Sequence, residues 1–166
     1  MDIKPSRMKR AFIHHAALCV LFLAVLPVHV FAASKSQVWI VSWAASQQVP
    51  EAQNALPVED LRDATLRQIF HLSVGGSTLR VHVSNAFGNE VLRFTAVHIA
   101  RPRGFASDTI DPASDRALTF SGSSDVSIPP GAEYVSDPVE YSVAPVSDLA
   151  VTYHLDVPPA MQTGHP

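Results

Sequence analysis

The sequence predicts an all-β fold, an antiparallel β-sandwich of jelly-roll-like type, and three observations carry that expectation. Short segments with alternating apolar and polar residues recur from residue 38 to residue 155. Clusters of Gly, Pro, Asn, Asp and Ser separate them at 85–88, 102–112, 122–125, 129–131 and 158–159. Helical periodicity is nearly absent: residues 58–63, after Pro57, could make a turn of helix, which is too short to organise a fold.

Strand candidates in chain order are 38–44, 66–84, 91–100, 118–120, 126–128, 139–143 and 149–155. The second is the most informative. If Gly75-Gly76 forms a two-residue hairpin turn, Leu72 faces Leu79, Phe70 faces Val81 and Gln68 faces Val83, so one side is apolar. The other side carries Arg67, Ile69, His71, Ser73, Thr78, Arg80, His82 and Ser84, as expected of a sheet with one wet face. In 149–155, Leu149, Val151, Tyr153 and Leu155 point one way, and Ala150, Thr152 and His154 the other.

Ahead of these strands, Lys4, Arg7, Lys9 and Arg10 precede an apolar run over 11–30 in which only His14, His15 and His29 are polar. This predicts a signal peptide, residues 1–32, cleaved after Ala32 at Val30-Phe31-Ala32, with Ala33 as the alternative site. An uncleaved membrane anchor is the other reading, and Pro27 together with the peptidase-like site argues against it. Cys19 follows Leu18, which is too large for the position before a lipidated cysteine, so Cys19 leaves with the leader. The expected product is secreted or periplasmic, a single accessory domain over 33–166.

That product has no cysteine, which excludes disulfides, Cys₄ zinc, iron–sulfur clusters and thiol catalysis. Its eight basic residues stand against fourteen acidic ones, a net charge of about −6 with His neutral. Arg101-Pro-Arg103 is the densest basic cluster, so neither nucleic acid nor, after signal cleavage, a membrane is an expected partner.

An exported, acidic β-protein suggests a hydrolase or a carbohydrate-binding module, so a nucleophile with its base is the first thing to seek. There is no Gly-x-Ser-x-Gly elbow, and Gly122-Ser123-Ser124-Asp125 reads as a loop between strands. No Gly-Asp-Ser motif occurs, and no His has an Asp three residues before it. His71, His82, His98, His154 and His165 read as surface histidines; His71 and His82 would share the outer face of the hairpin, with no neighbouring ligand to complete a metal site. Glu51, Glu59, Glu90, Glu133 and Glu140 are scattered and read as isolated loop acids, not as glycosidase carboxylates. Trp39 and Trp43 fall on one side of a strand with Val41, either as core or as a sugar-stacking platform. No catalytic residue, metal ligand or cofactor-binding residue is assigned.

Residues 39–47 (WIVSWAASQ), 65–68 (TLRQ), 74–88 (VGGSTLRVHVSNAFG), 116–122 (RALTFSG) and 128–139 (IPPGAEYVSDPV), taken in order, resemble the N-terminal β-sandwich region of secreted bacterial GDSL-type, or SGNH, lipases and esterases. The resemblance implies a non-catalytic accessory domain whose hydrolase partner, with a Gly-Asp-Ser block and an Asp-x-x-His block, lies further along the chain. Neither block is present, and Gly88-Asn89-Glu90 departs from the family's Gly-x-Asn-Asp pattern. It therefore also implies an inactive, truncated family member, or one whose catalytic half lies on another chain. The sandwich would then be incomplete at its C-terminal end, leaving an edge beside 149–155 uncovered. An acylated saccharide is the ligand class the resemblance implies. A free-standing carbohydrate-binding or adhesion module is the alternative.

Overall fold

The computed structural model describes residues 38–165, and the expected signal peptide with its Ala32 cleavage site lies outside them. Ten strands are present in the described region: β1 (Ala64–Leu72), β2 (Gly76–Leu79), β3 (His82–Ser84), β4 (Leu92–Phe94), β5 (Ala96–Ala100), β6 (Arg116–Ala117), β7 (Val126–Ile128), β8 (Glu133–Val135), β9 (Val139–Val143) and β10 (Ser147–Leu155). Two short 3₁₀ turns, Val58–Leu61 and Pro112–Ser114, are the helical elements. The first coincides with the turn expected after Pro57.

One four-stranded sheet runs in the order β1-β10-β5-β6, and β2-β9, β3-β8 and β4-β7 form two-stranded ladders, every pairing antiparallel. The fold is all-β and sandwich-like, and the sheets do not close into a barrel. Alternation explains the core. Val97 and Ile99 of β5 and Leu149 and Val151 of β10 point inward to meet Val83, Val126, Ile128 and Tyr141 from the short ladders. Leu118 and Phe120, just after β6, are buried in the same cluster. Each such aliphatic side chain contributes roughly 1.5–3 kcal/mol on burial.

The expected faces of 66–84 hold, but its hairpin pairing and one expected strand do not. Leu72 and Val83 are buried, with Phe70, Leu79 and Val81 packed against the core. However, β1 pairs with β10 and β2 with β9, so Gly75-Gly76 is a crossing between ladders and not a hairpin turn. A two-residue hairpin needs positive φ at a central residue. Only Gly122 and Gly131 among the described glycines have it. Gly75 serves a different purpose: a Cβ there would lie 2.7 Å from both the Val143 carbonyl oxygen and the Pro145 nitrogen. It lets the chain pass close to the β9–β10 connection.

The second correction concerns residues 38–44, which form no strand and leave Val38, Ile40 and Val41 exposed. Ser42 fixes this segment instead. Its carbonyl accepts from the Ser73 backbone and hydroxyl, and its own hydroxyl bonds both the N–H and the carbonyl of Val74. The stretch 91–100 splits into β4 and β5 at Thr95, and β8 had no sequence signal of its own.

As expected, β10 lies inside a sheet, flanked by β1 and β5, and β1 is the edge strand beside it. The residues after β10 are tied down. Gly164 and Gln48 exchange two backbone hydrogen bonds at 2.9 Å, Gln162 bonds both backbone groups of Leu56, and the Thr163 hydroxyl accepts from Phe87 N–H.

Candidate functional site

The outer face of the β1–β10 ladder carries a row of complementary polar pairs. Cross-strand register places Thr65 opposite His154, Arg67 opposite Thr152, Ile69 opposite Ala150 and His71 opposite Asp148. Residues directly opposite on one face are close enough for their side chains to bond. Arg67 Nε donates to Thr152 Oγ1 at 2.9 Å, and His71 Nδ1 meets Asp148 Oδ1 at 2.7 Å. A loop over residues 101–110 lies across this face, with Arg67 donating to the Asp108 carbonyl and Ala106 N–H donating to Asp148 Oδ2 at 2.8 Å.

Where this loop meets the β9–β10 connection it leaves a cleft of about 370 Å³. His71, Arg101, Phe105, Val143, Val146 and Asp148 are among its lining residues. The Asp148 side chain is only 10 % exposed, and the Ala106 N–H, then the His71 bond, hold its carboxyl below the usual aspartate range. An ionised Asp148 accepts at both oxygens, so His71 carries its proton on Nδ1 and Nε2 remains for a ligand. The Arg101 guanidinium lies 5.1 Å above the Tyr141 ring and donates to the Ser142 carbonyl. Phe105 is 87 % exposed, its ring edge-on to His71 at 6.2 Å between centroids. Both walls hold non-glycine residues with positive φ, Ala106 at 50° and Val146 at 53°. For a β-branched residue such as Val146 that backbone is strained.

A second histidine cluster occupies the far end of the same ladder. His154 Nε2 lies 3.4 Å from Asp156 and 3.5 Å from Asp63, while its Nδ1 meets the Thr65 hydroxyl at 3.2 Å. The His154 and carboxylate ligand atoms lie within 4.8 Å of one another, close enough to hold a cation between them. Arg93 already neutralises Asp156 at 3.6 Å, and the side chains of Asp63 and Asp156 are 84 % and 52 % exposed.

Neither His71 nor His98 has a hydroxyl on its ring; each is bonded through Nδ1 to an aspartate, His98 to Asp115 at 2.8 Å. Thr65–His154–Asp156 does place a hydroxyl, an imidazole and a carboxylate in sequence, but the N–H groups of Asp63 and Thr95 beside it are spent on the carbonyls of Asp156 and His154. They cannot serve as oxyanion donors. The 122–125 segment is a loop, as expected: Asp137 accepts from Ser121 N–H, Gly122 N–H and the Thr119 hydroxyl and is held below the usual range chiefly by Thr119.

His71 and His82 do not share a face of one hairpin, because β1 and β3 belong to different ladders. The two tryptophans are not core residues. Trp39 is 41 % exposed with Arg80 stacked over it at 4.5 Å, and Trp43 is 40 % exposed, edge-on to Phe70 and near His165. Glu51, Glu133 and Glu140 accept from Asn54, Ser84 and Thr78 respectively, each apart from the others. Asn85, within the 74–88 stretch, is buried and spans the carbonyls of Glu90, Ile128 and Pro129, which is a structural role.

Sequence reasoning missed Asp148, Arg101 and Phe105. The signal for Asp148 was present: it lies two residues before Ala150 on the polar face of β10, opposite a strand bearing His71. No protein-family model matches the chain, and no curated protein matches it at a significant level. No helix among the described residues is long and apolar enough to cross a membrane.

Proposed function

We infer that this is the non-catalytic accessory β-sandwich of an exported GDSL-type esterase, a domain that binds beside a hydrolase and does not itself cleave esters. The observation that supports it best is the His71–Asp148 pair: it has the base and acid of a hydrolytic triad, sits at a cleft, and has no hydroxyl on the imidazole. The resemblance carried by residues 39–47, 65–68, 74–88, 116–122 and 128–139 supplies the hydrolase class. Export rests on the basic start and apolar run before Ala32.

Two measurements test this reading. N-terminal sequencing of exported material is expected to begin at Ala33 or Ser34, and a mature protein starting at Met1 contradicts export. The nucleotide sequence following the codon for Pro166 is expected to encode a Gly-Asp-Ser block in some reading frame. Absence of any such block there and in the neighbouring genes favours the free-standing carbohydrate-binding module, for which the same cleft would serve.

A further inference from the structure

The cleft between residues 101–107 and the β9–β10 connection combines an aromatic ring in solvent, a guanidinium and a fixed imidazole. Its one carboxylate is already occupied. Asp148 is nearly buried and already accepts from Ala106 N–H and from His71, while the Ser147 hydroxyl donates to the Ala144 carbonyl and, like His71 Nε2, can still accept. Arg101 has five N–H groups and uses one on Ser142. The unused N–H groups of Arg101 suit a ligand that brings acceptors, and a planar carboxylate is the group whose geometry the guanidinium fork matches.

The remaining surface says what should carry that carboxylate. Phe105 is 87 % exposed at the lip, while Val143, Ala144, Val146 and Pro102 line the cleft with apolar groups. An exposed aromatic ring over an apolar floor, with a few converging polar groups, is the composition of a small-ligand site. A pyranose presents a C–H face to stack on such a ring and hydroxyls for His71 Nε2. We propose that this cleft binds a uronic-acid-bearing saccharide, with the sugar ring on Phe105, the carboxylate on Arg101 and a hydroxyl on His71. The choice of a saccharide rests on the reading of the domain as the binding part of an exported esterase; the demand for a carboxylate rests on the cleft alone.

The test is calorimetric titration of the purified chain with trigalacturonate, with the same trimer fully methyl-esterified, and with neutral xylotriose. The acid is expected to bind saturably, and the methyl ester and xylotriose at least about tenfold more weakly, since a charge-assisted hydrogen bond is lost. Phe105→Ala, an exposed change that leaves folding intact, is expected to weaken trigalacturonate by at least about fivefold. Arg101→Lys, which keeps the charge and loses the fork, is expected to weaken it to a similar extent. Equal binding of acid and ester, no binding of the acid, or unchanged affinity in Phe105→Ala would each overturn the proposal. None of these outcomes bears on the esterase reading, which the downstream Gly-Asp-Ser block tests separately.

Discussion

The two ends of the β1–β10 ladder carry the same chemical types in different states of order. At one end His71 and Asp148 meet at 2.7 Å, and the carboxylate takes a second bond from Ala106 N–H and is almost covered. At the other, His154 is shared between Asp63 and Asp156 at 3.4–3.5 Å, both exposed, with Arg93 drawing on Asp156. Exposed ion pairs contribute about 0–1 kcal/mol, whereas removing one partner of a covered hydrogen bond costs about 1–3 kcal/mol. Register sets His71 against Asp148, whereas His154 is registered with Thr65 and meets carboxylates from just outside the ladder. The loop that covers Asp148 turns that pair into a site.

The largest difference should appear when the two carboxylates are removed in turn. Asp148→Ala is expected to destabilise by about 1–3 kcal/mol in urea denaturation, because Ala106 N–H and His71 both lose their acceptor. Asp156→Ala should stay within about 0.5 kcal/mol. Similar losses at both positions would erase the distinction between the ends.

Acid sharpens the same contrast. Asp148 has a depressed carboxyl in the folded state, so its contribution is present above the ordinary aspartate value of about 4 and is lost as pH falls through the lower folded value. Asp148→Asn should therefore flatten the dependence of stability on pH below about 4. Some acid sensitivity should persist in Asp148→Asn because Asp137 is depressed as well.

Smaller effects should come from Val146 in the cleft wall and from Tyr141 in the core. Val146→Gly relieves a β-branched residue at φ 53° and is expected to stabilise by about 1 kcal/mol, raising the melting temperature. The Tyr141 hydroxyl is buried without a partner, so Tyr141→Phe should be neutral or stabilising by less than about 1 kcal/mol.

Much of the fold was legible because alternation is a local property. The faces of 66–84 and 149–155, and the bounds 126–128 and 139–143, could be read from neighbouring side chains alone. Partners could not, because Gly75-Gly76 satisfies a hairpin rule and a close-approach requirement equally well until Pro145 is seen beside it. The site was less legible for the same reason. His71 and Asp148 are 77 positions apart, and Ala106, which fixes Asp148, sits in a loop with no periodic signal. Residues 38–44 were misread as a strand, and Trp39 and Trp43 with them as core, because a β-branched, aromatic segment was assumed to have a strand partner, and Ser42 replaces that ladder with side-chain bonds.

The proposal that the domain does not itself cleave esters is tested most directly by ester hydrolysis. Purified protein given p-nitrophenyl acetate is expected to release p-nitrophenol no faster than a heat-treated control. Saturable turnover abolished by His71→Ala, or by Thr65→Ala at the other end of the ladder, would contradict it.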